Sequence, residues 1–530
     1  MRKSIIYLLS AAAAIIFQQS FAAVAGDRSA DAGITVAGYV RCEGRGIADA
    51  VVSDGVNVVK TDAEGYYALP SDIAKTEFVM LSTPRGYEVD AYDGFLPAFF
   101  RAVDKSAAAP QRFDFDLKKS GDNDEYVLVV VADEHVSGRV LDVPAYGGKV
   151  VAPTDSLQYE GVFLPRLKEY VASAPAGTKF YGLNLGDMTH SEYWYRNKAD
   201  MDAYIRLSKD IPFSMYHCIG NHDHCHKFTD DYNAEAEYRK HFGPTYYSFN
   251  LGKVHYVVLD DMLYHGRNTY DRIIAPEQLE WLKKDLAALD PEVKELVLAA
   301  HVPLTMNAAT FEGYKPLLNN WNELYAVIRG YNVHILTGDW HASATVLVDE
   351  NVTEYVHPAV CGTWWYRLVC TDGSPSAFTE YRFDADGLVS RHTVPVEDIY
   401  GSCQYTVYNK GVTTNTGLKV SAKDDPQGGS PAILVNFWNY NNSWDFVCKE
   451  NGREVRGRDA MVRLCDLRHR AYVDAGVVEV ERYKWLRSKY VAHMFRYVPL
   501  DPSAEIEITA TDYRHGGAVT VVRTRWEPEK

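Results

Sequence analysis

The pattern of apolar and polar positions changes twice along the chain and divides it into three parts. Between residues 33 and 119, short stretches of alternating polarity, such as 34–41 and 50–53, are separated by turns rich in Gly and Asp. A period of two residues is typical of half-buried β-strands, and evenly spaced short strands with such turns are typical of a β-sandwich. The first part is therefore predicted to be an N-terminal β-sandwich.

Between residues 124 and 347, continuous apolar runs alternate with helical periodicity. Residues 126–132 (YVLVVVA) are apolar throughout, as expected of a strand buried on both faces. Helical periodicity follows at 157–171 and again at 276–289, where a proline opens the pattern. Such alternation predicts a layered α/β domain. Further predicted strands lie at 180–185, 213–219, 255–259, 296–300 and 333–336.

From residue 348 to residue 530 the helical patterns largely disappear, and aromatic-rich strand patterns return at 432–438 and 490–495. This part is predicted to be a C-terminal β-rich domain. Three domains agree with a length of 530 residues, because single domains usually contain about 100–200 residues.

The first 25 residues have the pattern of an export signal. Arg2 and Lys3 precede an apolar run at 5–17, and small residues follow up to Ala25. The run is shorter than the roughly 20 residues that span a bilayer, which disfavours an uncleaved anchor helix. We therefore predict a cleaved signal peptide, a periplasmic or secreted mature protein, and no stable membrane insertion.

Composition narrows the possible partners. The chain has 55 Lys and Arg against 71 Asp and Glu, a formal net charge of −16. A nucleic-acid polymer is not an expected partner, since its binding needs clustered cations. The eight cysteines are scattered and indicate no dense disulfide framework.

Metal-binding residue types follow five of the predicted strands in the central part. Because open α/β sheets place their sites at the carboxyl ends of strands, these segments are expected to converge. Their mixed nitrogen and oxygen donors suit ions such as Mn, Fe or Zn, and two such ions form a clamp for in-line attack on phosphorus. The segments are Asp133–His135, Gly186-Asp187, Gly220-Asn221-His222, His301 and Gly338–His341.

The order of these motifs resembles that of the calcineurin-like metallophosphoesterase superfamily: D-x-H, G-D, G-N-H-[DE], a single H, and G-H-x-H. They span Asp133 to His341, essentially the whole central part. The flanks resemble those of exported bacterial members, and residues 361–365 (CGTWW) resemble the opening of their C-terminal domain. The resemblance implies a central four-layer α/β/β/α sandwich between an N-terminal β-sandwich and a C-terminal β-rich domain.

The resemblance also assigns a role to each matched residue. Two metal ions would activate a bridging hydroxide that attacks phosphate mono- or diesters, so the expected partner is a small phosphate ester. His222 would donate a proton to the leaving group. No substrate-binding residue is identified. The implied ligands are Asp133, His135 and His341 for the first ion, Asn221 and His301 for the second, and Asp187 as the bridge.

Two positions depart from the family pattern. Asp339 replaces the usual His, and as an oxygen ligand it would leave a centre of two divalent ions and a hydroxide formally neutral instead of positive. We expect this change to favour harder ions or a trivalent iron at the second position. His190 replaces the acidic residue that orients the catalytic His in many relatives, which makes Asp223 a candidate for that role.

Some features permit more than one interpretation. The segment from His217 to His226 carries several His and Cys residues. Either it is a local zinc or copper site, or Cys218 belongs to the strand core while His224 and His226 line the cleft or its rim. Trp340, Trp364 and Trp365 either wall a pocket or pack between domains, and Arg139 and Arg196 either contact phosphate or lie on the surface. A different functional class, a catalytically degenerate exported module that binds glycans or a cell-surface partner, also stays open.

Overall fold

The computed structural model describes residues 33–526, except 109, 122–123, 142–153, 294, 308–312, 410–411, 414–418, 421–430, 479 and 516–517. The predicted signal peptide, residues 1–25, lies outside the described residues and stays a prediction. None of the described helices is long and apolar enough to span a bilayer.

The N-terminal part forms two sheets that share one core. A six-stranded sheet contains β1, β2, β5, β7, β11 and β12, and a four-stranded sheet has the order β10-β6-β3-β4. Val40, Val52, Leu81 and Phe115, which come from both sheets, pack in one cluster. The strands are β1 (Val36–Cys42), β2 (Arg45–Gly46), β3 (Val51–Ser53), β4 (Val58–Lys60), β5 (Tyr66–Leu69), β6 (Phe78–Ser82), β7 (Tyr87–Glu88), β8 (Ala91–Tyr92), β9 (Leu96–Pro97), β10 (Phe100–Ala102), β11 (Gln111–Arg112) and β12 (Phe115–Lys119).

The central part contains two larger sheets, which with the helices confirm a mixed α/β fold between β-rich flanks. Their strand orders are β15-β14-β13-β24-β25 and β16-β17-β20-β21-β23-β22. The strands are β13 (Tyr126–Val131), β14 (Phe180–Asn184), β15 (Met215–His217), β16 (Tyr247–Leu251), β17 (Val254–Val258), β18 (Met262–Gly266), β19 (Thr269–Arg272), β20 (Glu295–Ala299), β21 (Asn332–Thr337), β22 (Ala344–Leu347), β23 (Val352–Val356), β24 (Ala377–Asp384) and β25 (Gly387–Pro395).

The helices of the central part agree with the predicted periodicity at 157–171 and 276–289. A π-helical turn, Tyr159–Phe163, joins the first two helices, and a 3₁₀ turn, Asn221–Asp223, follows β15. The α-helices are α1 (Asp155–Gln158), α2 (Leu164–Ser173), α3 (Trp194–Asn197), α4 (Met201–Ser208), α5 (Asp231–Ala234), α6 (Ala236–Phe242), α7 (Pro276–Ala287) and α8 (Trp321–Ile328).

Strand β13 is buried on both faces, as its apolar sequence predicts. Val129 and Val131 pack in the cluster that contains Leu167 of α2 and Ile205 of α4. Val130, between them, belongs to a second cluster that contains residues of the other central sheet. Alternating side chains of one strand thus enter two cores, which holds the carboxyl ends of the strands in place.

The chain after residue 348 does not pass directly into the C-terminal β structure. Strand β23 pairs with β21 in one central sheet, and β24 pairs with β13 in the other. The aromatic strand patterns after 348 therefore begin only after three strands that complete the central sheets. This difference arises because a strand pattern does not reveal which sheet the strand joins.

The C-terminal part again has two four-stranded sheets, β26-β29-β33-β32 and β31-β30-β34-β35, with Phe437, Phe495 and Ile508 in their common core. Its helix α9 is Leu467–Asp474, and a 3₁₀ turn covers Lys484–Leu486. The strands are β26 (Tyr405–Tyr408), β27 (Val412–Thr413), β28 (Lys419–Val420), β29 (Ile433–Phe437), β30 (Trp444–Glu450), β31 (Arg453–Glu454), β32 (Asp459–Cys465), β33 (Tyr490–Tyr497), β34 (Glu505–Asp512) and β35 (Ala518–Arg525).

Candidate metal centre

The metal-binding residues predicted from the sequence all lie just beyond strands of the two central sheets. In the first sheet, Asp133 and His135 follow β13, Asp187 follows β14, and Asn221 lies in the 3₁₀ turn after β15. In the second sheet, His301 follows β20, while Asp339 and His341 follow β21. The structure brings these residues together between the two sheets, in two groups that meet at Asp187.

The first group contains the donors predicted for the first ion. The Nε2 atoms of His135 and His341 lie 3.0 Å apart. His341 Nε2 lies 3.5 Å from Asp133 Oδ1, and His135 Nε2 lies 3.5 Å from Asp187 Oδ2. Two imidazoles and two carboxylates thus face one point.

The second group surrounds the Nε2 atom of His301. This atom lies 3.1 Å from Asn221 Oδ1, 3.4 Å from Asp187 Oδ1 and 3.8 Å from Asp339 Oδ1. Asp187 therefore directs one carboxylate oxygen to each group, which is the arrangement that a bridging ligand requires. Asp339 lies where a donor to the second ion would lie.

The unsatisfied atoms of the site fit two cations. Asp133 is fully buried, yet both of its carboxylate oxygens lack a hydrogen-bond partner among the described residues. The carboxylates of Asp133, Asp187 and Asp339 lie within 4.0 Å of ring nitrogens of the three histidines of the centre. Since buried charges are normally paired or bound to metals, the donor set is that of a binuclear metal centre.

Contacts behind the ligands fix which ring nitrogen faces the centre. His301 Nδ1 lies 2.7 Å from the backbone oxygen of Leu185, and His341 Nδ1 lies 3.7 Å from Cys361 Sγ. A backbone oxygen only accepts, so Nδ1 of His301 carries its proton and Nε2 is directed at the carboxylates. Such support behind a ligand sets its orientation and tautomer.

The backbone at the ligands adopts a rarely populated conformation. Positive φ angles are uncommon outside glycine and cluster at functional sites, where the surrounding fold imposes them. Most of the ligands share this feature: Asp133 (57°), His135 (45°), Asp187 (56°), Asp339 (61°) and His341 (47°).

Two glycines allow the loops to approach each other closely. A β-carbon on Gly220 would lie 2.2 Å from both the backbone nitrogen and Oδ1 of Asp187. Gly186 has a φ of +95°, and a β-carbon there would lie 2.8 Å from His301 Nδ1. The glycines of the G-D and G-N-H motifs are therefore required by the close packing of the loops that carry the ligands.

Burial and neighbouring charges shift the pKa values of the metal-free residues. Burial opposes ionisation of Asp187, but the neighbouring His301 and His222 hold its pKa well below the usual range. Burial lowers the pKa of His301, but Asp187 more than compensates and raises it well above the ordinary value. Burial raises the pKa of Asp339. The bridging position thus carries a carboxylate.

The predicted proton donor, His222, is held by contacts other than the expected one. Its backbone nitrogen donates to Asp187 Oδ1 at 2.8 Å, and its ring stacks on that of His190 with centroids 3.9 Å apart. The expectation that Asp223 orients the ring is wrong. The Asp223 carboxylate accepts bonds from the backbone nitrogens of residues 188, 189 and 220, which tie the two motif loops together.

The two arginines considered as phosphate contacts occupy different environments. Arg139 is buried, forms an ion pair with Asp155 at 3.1 Å, and lies 3.3 Å from the centre of the Trp364 ring. It supports the loop after β13 and is not on the surface. Arg196 is exposed and lies over the ring of Tyr193.

Aromatic rings line one side of the centre. Trp364 contacts the rings of His190 and Trp485, and Trp485 also lies 5.4 Å from His341 and is about half exposed. Trp365 instead packs in the core and donates to the backbone oxygen of Glu134. Trp364 and Trp365 are both buried in one hydrophobic cluster, so the packing interpretation fits both.

Three residues near the centre have no recognisable sequence pattern. Trp485 and Lys489 come from the C-terminal part, and Lys489 Nζ donates to the backbone oxygen of Trp340 at 2.8 Å. Arg272 of β19 lowers the pKa of Asp339 by its charge, although burial of Asp339 is the larger effect. Its Nε atom is buried without a hydrogen-bond partner among the described residues.

The segment rich in His and Cys does not form a local site of its own. His217 packs against Phe242, Cys218 is in the core, and His226 Nδ1 lies 2.8 Å from the backbone oxygen of Ser191. His224 is fully buried beside carboxylates from other segments, which contradicts its predicted place at the cleft or its rim.

Family profiles match most of the chain. The calcineurin-like phosphoesterase profile matches residues 127–343. The profile for the N-terminal domain of such phosphoesterases matches residues 34–120, and the profile for the C-terminal domain matches residues 354–516. All three profiles are described as parts of calcineurin-like phosphoesterases.

Individual relatives are more distant. A "probable cyclic nucleotide phosphodiesterase" of Fibrobacter succinogenes is 25% identical over 168 residues, which is 31% of this chain and 60% of that protein. A dimetal phosphatase structure from Danio rerio matches with a TM-score of 0.33 and 12% identity over 51% of this chain and 99% of that one. A purple acid phosphatase from yellow lupin matches with a TM-score of 0.37 and 13% identity over 66% of this chain and 72% of that one.

Proposed function

Since the chain belongs to the calcineurin-like phosphoesterase family, we propose that it is a metal-dependent hydrolase of small phosphate esters. The observation that carries the proposal is the position of Asp187, whose two carboxylate oxygens face two separate donor groups. The complete set of predicted ligands around them gives no support to a degenerate binding module.

Two bound cations would supply Lewis-acid activation of water and of the phosphoryl oxygens. The chain supplies the rest. Asp187 keeps the two donor groups adjacent, and Asn221 and His301 hold the second group from opposite sheets. His222 follows Asn221 directly and is partly exposed toward the cleft, so its imidazole would donate a proton to the leaving oxygen.

Two cationic side chains beside the centre suit an anionic substrate. The charge of Arg272 lowers the pKa of Asp339, and Lys489 donates to the backbone oxygen of Trp340, between the Asp339 and His341 ligands. On the other side, the half-exposed ring of Trp485 packs edge-on against the buried ring of Trp364 and lies 5.4 Å from that of His341. We propose that Lys489 and Arg272 bind phosphoryl oxygens and that the exposed face of Trp485 contacts the organic group of the ester.

We expect a preference for diesters over monoesters. Three carboxylates, including Asp339, offset most of the charge of two divalent ions, so the centre attracts a dianionic monoester less than a centre with His at that position. With the metal-loaded protein, kcat/KM for bis-p-nitrophenyl phosphate should exceed that for p-nitrophenyl phosphate by about tenfold, a difference of about 1.4 kcal/mol in the barrier.

Two controls accompany this comparison. Chelator treatment should remove activity on both esters, and added Mn²⁺ should restore it. A much higher kcat/KM for the monoester than for the diester would show that the diester assignment is wrong. A purified protein inactive on both esters with Mn²⁺, Fe²⁺ and Zn²⁺ would argue against the hydrolase itself.

The identity of the ions depends on Asp339. A carboxylate favours harder ions than an imidazole does, so we propose manganese or iron at the second position. When the metals compete for the centre, replacing Asp339 by His should raise its zinc content. Its manganese content should fall by about threefold or more. Metal analysis of both proteins loaded from the same equimolar mixture measures this. Equal zinc occupancy in the two proteins would contradict the role of Asp339.

We also propose that the protein acts outside the cytoplasm, in the periplasm or after secretion. The support is the sequence of residues 1–25, with its two basic residues, apolar run and small residues before Ala25.

A further inference from the structure

A second cluster of metal-binding side chains lies behind the 3₁₀ turn that carries Asn221 and His222. It contains His224, which follows that turn, Asp231 and Glu235 from the region of α5, and Asp260, which follows β17. Donor atoms of His224, Glu235 and Asp260 lie within 4.8 Å of one another. None of these residues belongs to the centre around Asp187, and all except Asp231 are buried.

The tautomer of His224 leaves a lone pair directed into the cluster. Its Nδ1 atom lies 2.8 Å from the backbone oxygen of Gly220, which only accepts, so the proton is on Nδ1. Its Nε2 atom is fully buried and has no hydrogen-bond partner among the described residues. An unpartnered buried ring nitrogen requires an explanation, because buried polar atoms are almost always satisfied.

The spacing around Nε2 fits an ion better than a hydrogen bond. Asp231 Oδ1 lies 3.8 Å from it and Glu235 Oε1 lies 4.0 Å from it, both beyond hydrogen-bond distance. Ligand atoms around a tetrahedral zinc ion with bonds of 2.0–2.1 Å are about 3.3 Å apart. The gap between imidazole and carboxylates therefore needs only a small contraction to hold an ion.

The described cation next to the cluster does not balance the negative charge of its carboxylates. Arg239 pairs with Glu235 at 2.5 Å, but it pairs with Glu77 at 2.7 Å as well, so it offsets little of the three carboxylates. Burial, and then the neighbouring carboxylates, raise the pKa of Glu235 well above its usual range and that of Asp260 to about 7. Buried carboxylates in this state gain from a bound cation.

We propose that His224, Glu235 and Asp260, with Asp231 at the more exposed side, form a third metal site that binds a divalent transition-metal ion, zinc in particular. One imidazole and three carboxylates would supply four ligands of types that zinc accepts, His nitrogen and carboxylate oxygen. With an ion in place, the buried lone pair of His224 Nε2 has a partner.

The position of this site suggests that its ion stabilises the loops of the catalytic centre. His224 lies two residues after His222 on the same loop. Asp260 is followed by Asp261, whose carboxylate accepts bonds from the backbone nitrogens of His301 and Val302. An ion held by His224 and Asp260 would thus join the two loops that position Asn221 and His301, without contacting substrate.

Metal counting tests the proposal on the full-length protein. After removal of metals and equilibration with Zn²⁺ alone, the wild type should bind one equivalent more than His224→Gln, measured by mass spectrometry of the metal and protein content. A double variant, Asp133→Asn with His301→Gln, disables both positions of the main centre and should still bind one equivalent. In this variant Zn²⁺ should raise Tm by about 3 °C or more, and His224→Gln should remove that shift.

Further variants separate metal loss from misfolding. Asp260→Asn, which keeps the side-chain shape, should lose the same equivalent as His224→Gln. His255→Gln is the matched control, because His255 is equally buried but both ring nitrogens have partners, Asn250 and Asp285, at 2.9 Å. It should bind as many equivalents of zinc as the wild type.

Equal zinc in the wild type and His224→Gln would overturn the third site, and would instead favour a proton shared by Glu235 and Asp260. If only the main centre failed to bind metal, the wild type should still bind one equivalent of zinc more than His224→Gln.

Discussion

Replacing Asp187 by Asn should lower kcat for phosphate-ester hydrolysis by at least about 10³-fold and prevent binding of both ions of the centre. Asp187 is the one carboxylate with oxygens facing both donor groups, 3.5 Å from His135 Nε2 and 3.4 Å from His301 Nε2. Asn retains the shape and tolerates the positive φ, so the change removes charge with little effect on the backbone. Metal activation is worth several kcal/mol, which corresponds to this loss in rate.

The measurement is a steady-state assay on the diester together with the metal content of the same sample. Asp285→Asn is the control, because Asp285 is buried and hydrogen-bonded to His255 and Ser248 but lies outside the centre. It should keep both ions and most of the activity. Wild-type turnover in Asp187→Asn would exclude the two-metal mechanism.

Replacing Gly220 by Ala should lower kcat/KM by about 10²-fold although it adds a single methyl group. That methyl would lie 2.2 Å from the backbone nitrogen and Oδ1 of Asp187, so the loop with the bridging ligand must move. Displacement of reacting groups by about 1 Å costs on the order of 10²-fold in rate. Overpacking of a buried contact also costs about 1–3 kcal/mol of stability.

Gly330→Ala provides the comparison, since a β-carbon at Gly330 meets no atom within 4 Å and its φ is not positive. It should leave both kcat/KM and the free energy of unfolding close to those of the wild type. If Gly220→Ala retained full activity and metal content, the close packing of the G-D and G-N-H loops would not be essential.

The sequence predicts those residues of the site that belong to local motifs after predicted strands. Strand patterns locate β13 and β14, which are neighbours in one central sheet, and β21, which lies in the other, and the residues that follow these strands meet. The order of motifs then resembles one family and assigns roles to Asp133, Asp187 and His301. These assignments needed no knowledge of how the outer domains pack.

The parts that the sequence does not predict depend on contacts between distant segments. Trp485 and Lys489 reach the centre only because the C-terminal part packs against it, and their local sequence contains no motif. One interpretation of the sequence puts His224 at the cleft or its rim, whereas its ring is directed toward Glu235 and Asp260. Asp223 is a candidate from the sequence for orienting His222, but its carboxylate accepts hydrogen bonds from backbone nitrogens instead.

The positive φ angles of the ligands have a consequence for how the protein can change over evolutionary time. At Asp187 or His341, a glycine would relieve strain on the order of 1 kcal/mol while removing a ligand. A single substitution of this kind would thus make the fold more stable and destroy the centre at the same time. A lineage selected only for stability would drift toward an inert scaffold, so the strained backbone persists only while hydrolysis itself is under selection.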